Sequence, residues 1–158
     1  YMRKLDRVPR TLRKLSKQLD DNFARLNSEL CRTPTDEELA ESMNMTTTQL
    51  SKLMANTAGM ITLSFEELLY EDNLDESISA SSETADAKIY EREKKQVIAE
   101  AVAALPEKEK QVVTMYYYEK LKYSEIAKVM SITQSRVCQI HSKAMLTLKN
   151  KLESYINS

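Results

Sequence analysis

Gln134, Ser135, Arg136, Gln139 and Lys143 place hydrogen-bonding and cationic side chains on one short stretch of chain. A glutamine carboxamide can bond adenine in bidentate fashion, and an arginine guanidinium can read guanine or hold a phosphate. A lysine ammonium neutralises phosphate and so positions a protein on DNA without reading sequence. On a helix at 100° per residue, residues 134–150 put Val137, Ile140, Ala144 and Leu148 on one apolar side. Ser135, Gln139 and Ser142 fall opposite, flanked by Arg136 and Lys143; Leu146 also falls there and has no role in this reading. Ser135, Arg136 and Gln139 lie early in the helix, the part that enters the major groove in helix-turn-helix proteins. The chemistry on offer is noncovalent recognition of nucleic acid. A merely solvated helix face is the competing explanation, and it suffices for Lys149, Asn150 and Lys151.

The elements that would hold these residues occur twice. Residues 37–53 read EELAESMNMTTTQLSKL and residues 124–140 read SEIAKVMSITQSRVCQI, an offset of 87 (124 minus 37) with no gap. They match in kind at Glu38/Glu125, Leu39/Ile126, Ala40/Ala127, Met43/Met130, Met45/Ile132, Thr46/Thr133, Leu50/Val137 and Leu53/Ile140. Each copy reads as a short helix with a small alanine at the helix crossing, a tight turn, a threonine cap and a second helix. The first copy carries Glu37, Glu38 and Glu41, and its Thr47, Thr48, Gln49 and Lys52 make a poor reading surface, so a structural use is expected there. The basic stripe Arg7, Arg10, Arg13, Lys14 and Lys17 just ahead of it is the better DNA-facing candidate, with an ordinary exposed helix face as the alternative.

The rest of the chain supports an all-α fold of two small helical domains with helix-turn-helix units joined by an acidic linker. At 158 residues, with one glycine, three prolines and no tryptophan, there is little turn chemistry for a β-sheet protein. Pro9 opens a helix over 10–30 with an apolar stripe at Leu12, Leu15, Leu19, Phe23, Leu26 and Leu30. Thr35 and Glu38 suit a capping box for a helix over about 36–43, and a second helix over about 47–56 ends near Gly59. These make a three-helix domain over residues 1–62. Residues 63–87 are acidic, serine-rich and poor in large apolar groups after Leu69, as expected of a linker, flexible or ordered only against a partner. A second domain over 88–158 begins with a helix to Leu105, restarts at Pro106–Glu107 through about Glu119, and ends with the second helix-turn-helix. The net charge of −1 averages basic, acidic and basic blocks, which suits a chain whose ends meet phosphates and whose middle does not.

No membrane span or signal peptide is visible, and Cys31 and Cys138 lack metal-ligand spacing, which fits thiols in a reducing cytoplasm. One histidine, His141, lies at the core edge, where packing or a local hydrogen bond is expected. Cys138, on the flank of the last helix, suits either proximity to DNA or inert packing. With no glycine-rich loop and no nucleophile–base arrangement, neither catalytic residues, metal ligands nor a cofactor is expected.

LPEKEKQVVTMYYYEKLKYSEIAKVMSITQSRVCQIHSKAMLTLKNKL (105–152) resembles region 4 of a bacterial RNA polymerase sigma factor, and RVCQIHSKA (136–144) is similar to the flagellar or motility class. Leu5-Asp6-Arg7-Val8-Pro9-Arg10, the basic helix and TPTDEELAE resemble the start of region 3 in that class, where tryptophan usually stands at the place of Arg7. The resemblance implies that Gln134, Ser135, Arg136, Gln139 and Lys143 bind the −35 promoter element. Region 3, through Arg7, Arg10, Arg13 and Lys14, would meet DNA just upstream of −10, with Arg10 and Arg13 matching the family's basic contacts. It further implies docking on the β-subunit flap of core RNA polymerase through apolar faces around 97–130, an anti-sigma partner, and a region 3.2-like role for the acidic linker. Housekeeping members commonly carry glutamate and arginine where this chain has Ser135 and Cys138, which implies a different −35 sequence. Region 2, which melts the −10 element, would precede residue 1, so a fragment of a longer protein is expected. A stress or sporulation sigma factor, a helix-turn-helix repressor and a protein-interaction module remain as alternatives, the last favoured if the two units pack together over Arg136 and Gln139.

Overall fold

The structure, a computed structural model, describes residues 9–77 and 85–157. It contains α1 (Arg10–Leu30), α2 (Asp36–Ser42), α3 (Thr47–Ser77), α4 (Ala85–Ala103), α5 (Glu107–Val113), α6 (Tyr123–Met130) and α7 (Gln134–Ile156), with a π-helical turn at Thr114–Tyr118 after α5. Described residues include no strand.

Local signals set most helix ends. Pro9, with φ −53°, precedes α1, and Cys31 closes it in the left-handed region. Of the α1 stripe, Leu19 and Phe23 are buried, and Leu15 and Leu30 stay partly open. Thr35 Oγ1 accepts from the Glu38 amide while Glu38 Oε2 accepts from the Thr35 amide, so α2 starts in a full capping box. Arg32 pairs with Glu38 at 2.6 Å; that guanidinium, together with the Thr35 amide, draws the Glu38 carboxyl down to about 2. Thr133 Oγ1 accepts from the Arg136 amide and starts α7 in the same manner.

The repeat is real in the backbone. The Met45 amide reaches the Ala40 carbonyl at 3.0 Å, and its counterpart, the Ile132 amide, reaches Ala127 at 3.0 Å. Each bond is closed by a residue at positive φ, Asn44 at 53° and Ser131 at 54°. A left-handed conformation costs a non-glycine residue roughly 1 kcal/mol, less for asparagine, whose short side chain bonds locally. Ser131→Gly is therefore expected to raise stability by about 1 kcal/mol, seen as a higher urea midpoint at unchanged slope; a lower midpoint would contradict the strain.

Two expectations are corrected. α3 does not stop near Gly59 but continues to Ser77, so much of the expected linker over 63–87, read as flexible or ordered only against a partner, is helical, and residues 78–84 lie outside the described residues. The cause is packing. Ile61 and Phe65 lie against a core of Ala101, Leu105, Val113, Ala144, Met145 and Leu148 from α4, α5 and α7, and Lys94 Nζ donates to the Leu69 carbonyl. The helix expected through Glu119 widens into the π-helical turn, which brings Tyr116 and Tyr117 onto the His141 ring, with centroids at 4.8 and 5.5 Å.

The sequence leaves open whether the two units are splayed or packed closed, and in the structure they are packed together. A single core joins Leu19, Phe23, Leu39, Leu50, Leu53 and Met54 of α1–α3 to Val112, Tyr123, Ile126, Val137, Cys138 and Ile140 of α5–α7. α3 lies along α7, and this is the main seam between the halves.

Candidate nucleic-acid interface

Because α1–α3 pack against it, α7 is buried over more of its circumference than its apolar stripe requires. Val137, Ile140, Ala144 and Leu148 are buried as the periodicity predicts, and so are Ser135, Cys138, His141, Met145 and Leu152. Ser135, expected on the outward polar side, is only 1% exposed and lies over the α2 N-terminus. Cys138 is equally buried; desolvation pushes its thiol up to about 12, and the Asp20 carboxylate adds to the shift. What remains open on α7 is a narrow strip with Arg136, Lys143, Leu146 and Asn150, edged by half-buried Gln139.

Most polar groups at the start of α7 are met by acceptors from the first half of the chain. The amides of Gln134 and Ser135, which have no partner inside their own helix, donate to Asp36 Oδ2 at 3.1 Å and Oδ1 at 2.9 Å. Gln134 Nε2 donates to Ser51 Oγ at 2.9 Å, and Gln139 Nε2 donates to Asp20 Oδ1 at 2.9 Å. Lys143 pairs at 3.3 Å with Glu109, a buried acid of α5, while its own side chain stays largely in solvent. The five candidates thus share one helix end, and Arg136 alone among them exposes a charged group that pairs with no acid among the described residues.

Asp20, Asp36, Ser51 and Glu109 were not visible as site residues in the sequence. Asp36 reads there as one more acid in a helix first turn, and nothing in its spacing announces α7, 98 residues on. Residue 36 opens the first helix of one helix-turn-helix and residue 134 the second helix of the other, so the offset repeat gives no hint that they meet.

On α1, Arg10, Arg13, Lys14 and Lys17 are all exposed and fall within an arc of about 100°, opposite Leu19 and Phe23. Arg7 lies outside the described residues. In the first helix-turn-helix, Gln49 is spent on a cap: its Oε1 accepts from the Thr46 amide at 2.9 Å and its amide donates to Thr46 Oγ1. That matches the structural use expected of this copy.

Behind the exposed strip of α7 lies a directed hydrogen-bond chain. Thr62 Oγ1 donates to the Ala58 carbonyl, so it must accept from Tyr117 Oη at 2.8 Å. Tyr117 Oη then accepts from His141 Nε2 at 2.9 Å, which leaves His141 Nδ1 to accept from Tyr123 Oη at 2.6 Å. This assigns His141 the neutral Nε2–H tautomer, and burial holds its pKa down at about 4. The chain runs from α6 through α7 to α3 and ties the two halves together. Among described residues no cluster of metal-ligating side chains exists, and no helix is long and apolar enough to cross a membrane.

Comparison with known proteins agrees with this anatomy. The family model "Sigma-70 region 3" matches residues 4–88, and "Sigma-70, region 4" matches residues 101–150. The chain is 33% identical to RNA polymerase sigma-D factor of Bacillus subtilis over 98% of its own length and 63% of that protein's. It is 30% identical to RNA polymerase sigma factor FliA of Salmonella typhimurium, covering 96% of the chain and 64% of the relative. For the FliA of Yersinia enterocolitica the identity is again 30%, with 97% and 68% covered. The chain therefore spans about two-thirds of the length of these relatives. A solved structure titled "Cocrystal structure of the flagellar sigma/anti-sigma complex, Sigma-28/FlgM" superposes with a TM-score of 0.79 at 32% identity, over 91% of this chain and 62% of that one. A second, "Sigma-28(FliA)/FlgM complex", gives 0.78 at 33% identity. One superposition covering so much of the chain takes in both halves, so their packing is shared. With two region models in order along its length and flagellar relatives over nearly all of it, this chain belongs to the sigma-70 family and comprises regions 3 and 4 of a motility-class sigma factor.

Proposed function

We propose that the chain directs RNA polymerase to motility-type promoters, with α7 reading the −35 element and α1 contacting DNA upstream of −10. The reading is carried by α7 itself. It is the second helix of a helix-turn-helix, and its remaining open strip holds Arg136 and Lys143 beside Gln139. Arg136 and Gln139 supply base readout, Gln134 and Ser135 support them at the helix start, and Lys143 holds phosphate. Arg10, Arg13 and Lys14, with Arg7, form the second contact, and the exposed face of α1 that carries Arg10, Arg13 and Lys14 lies opposite its buried side. The role is recognition rather than catalysis, exercised in the cytoplasm, with the β flap of core polymerase as the docking partner.

The packing of both halves supports a second state of the same protein. The two superposed relatives are titled as complexes with FlgM, and this chain shares their arrangement. We infer that an anti-sigma partner holds the closed form, in which Gln134, Ser135 and Gln139 are occupied.

The test is capture of core RNA polymerase by the chain, together with promoter binding by Arg136→Ala and Gln139→Ala. Each substitution is expected to cost about ten- to hundredfold in affinity for the preferred −35 sequence, and far less for unrelated DNA. Binding to core with no loss in either variant would remove α7 as the reader. Tight sequence-specific binding without core capture would instead favour a repressor.

A further inference from the structure

We propose that Glu109 of α5 is a positioning residue for DNA binding, whose carboxylate anchors the Lys143 ammonium where a phosphate flanking the groove can meet it. The inference rests on the reading of Lys143 as a phosphate contact and deepens it by naming what aims that lysine.

A free surface lysine makes a poor contact. Its flexible four-carbon stem loses rotamer freedom when the ammonium is fixed on a phosphate. The Lys143 side chain is 75% exposed, yet its Nζ lies 3.3 Å from Oε1 of Glu109, whose side chain is only 8% exposed. This asymmetry assigns the roles. The acid is held by the packing around it, one turn before the buried Val112 and Val113 of its own helix, and the lysine is the partner with room to range. Two other pairs of the second unit differ. Lys110–Glu107 at 3.8 Å and Lys149–Glu153 at 3.9 Å join open side chains within a single helix, so neither partner is fixed.

Glu109 lies in the first turn of α5, behind Pro106, where the helix dipole favours an acid. A carboxylate buried there still needs a donor, and Lys143 supplies one from α7. An ammonium carries three N–H groups, so one directed at Glu109 leaves two for the oxygens of a phosphate. Lys143 stands seven residues beyond Arg136 and therefore on the same strip of α7, about 10 Å farther along the helix. Arg136 can then meet base edges while the anchored ammonium meets the backbone. Both members of the pair belong to the second unit, so the anchor needs nothing from the first. The Glu109 carboxylate also repels phosphate, but it does so whatever side chain stands at 143. That repulsion cancels in a double-mutant cycle, which reads only what the two residues do together.

The experiment uses the full chain and a mixed-sequence duplex, because a phosphate contact carries no sequence preference. Affinity and its salt dependence are measured for the unchanged chain, Glu109→Met, Lys143→Ala and the double variant. Methionine fills the space of glutamate without its carboxylate, and circular dichroism checks that helix content is kept. Lys143→Ala is expected to weaken binding and to lower the salt slope by about one. Glu109→Met is expected to cost about threefold more affinity with Lys143 present than in the Lys143→Ala chain. Glu109→Gln, which keeps an acceptor in place, should recover part of that loss. If Glu109→Met loses helix, the cycle is read with Glu109→Gln, at smaller size and the same sign. Equal effects of the Glu109 change in both backgrounds would make the acid a packing residue and overturn the proposal. A gain confined to chains with Lys143 would show that the acid withholds the lysine from DNA, which also overturns it. Unchanged affinity and slope in Lys143→Ala would instead remove the lysine as a phosphate contact, and the proposal with it.

Discussion

Replacing Cys138 by arginine is expected to part the two units while leaving each of them helical. Cys138 is 1% exposed, lies in the core shared by both halves, and has the Asp20 carboxylate close by. An arginine there must be overpacked into a filled space, at about 1–3 kcal/mol, and its charge must leave water, at a further few kcal/mol even with an acid nearby. In an open chain, with α1 and its Asp20 removed, this position on the flank of α7 would have room for a long side chain. Housekeeping members commonly carry arginine there, so the helix-turn-helix itself accepts the side chain. The penalty therefore falls on the closed form alone. Small-angle scattering should show a clear rise in radius of gyration over the unchanged chain, with no loss of helical circular dichroism. An unchanged radius would show that the seam tolerates the charge, and loss of helix would show that the second unit cannot stand without the first.

Acid is expected to weaken the fold through His141, the only histidine of the chain. Its ring is fully buried and neutral, accepting from Tyr123 and donating to Tyr117. A protonated ring would present N–H at both ends, and the buried Tyr123 hydroxyl would have to turn its own proton toward apolar neighbours. The folded chain thus holds the histidine near 4, against about 6.5 when unfolded, and binds fewer protons over that interval. The stabilisation is complete above about pH 6.5 and is lost as the pH falls through about 4, by about 3 kcal/mol in total. His141→Phe should flatten this part of the profile. It should also cost about 3 kcal/mol at neutral pH, because two tyrosine hydroxyls lose their partner. Urea unfolding of both chains from pH 7 to pH 4 measures each effect. A slope in the phenylalanine variant as steep as in the unchanged chain would assign the acid sensitivity to other groups.

Much of this anatomy is legible in the residues, because it depends on near neighbours. Pro9, Thr35 with Glu38, Pro106 and Thr133 each act within one helical turn, and each marks a helix start where the structure has one. The two copies of the helix-turn-helix coincide to the level of single backbone bonds because the alanine and the threonine cap impose the same local geometry. What sequence could not supply is the partner of each apolar face. Leu50, Leu53 and Met54 read equally well as the core of a separate three-helix unit, and they instead reach across to Val137 and Cys138. Gly59 is a sound local stop signal, yet Ile61, Thr62 and Phe65 gain more by packing on α4, α7 and Tyr117 than the helix loses at one glycine. Ser135 reads as an outward polar residue until Asp36 is brought over it from 99 residues away. The candidate site was therefore readable as a set of residues and unreadable as an occupied surface.

The passage of α3 through Gly59 has a consequence for reach. As a 31-residue helix, α3 is a rod about 46 Å long. Its first turns lie along α7, and Ile61, Phe65 and Leu69 farther on meet α4 and its neighbours, so the rod is held to the second unit on both sides of Gly59. A Cβ at Gly59 would meet nothing, and glycine is the weakest helix former in the rod. If the helix gives way there, the chain from Gly59 to Thr84 becomes a tether, and in extended form it would span up to about 85 Å. Ile61, Thr62, Phe65 and Leu69, which hold the halves together in the helix, would then lie on the tether that sets how widely separated two DNA elements the halves could touch at once.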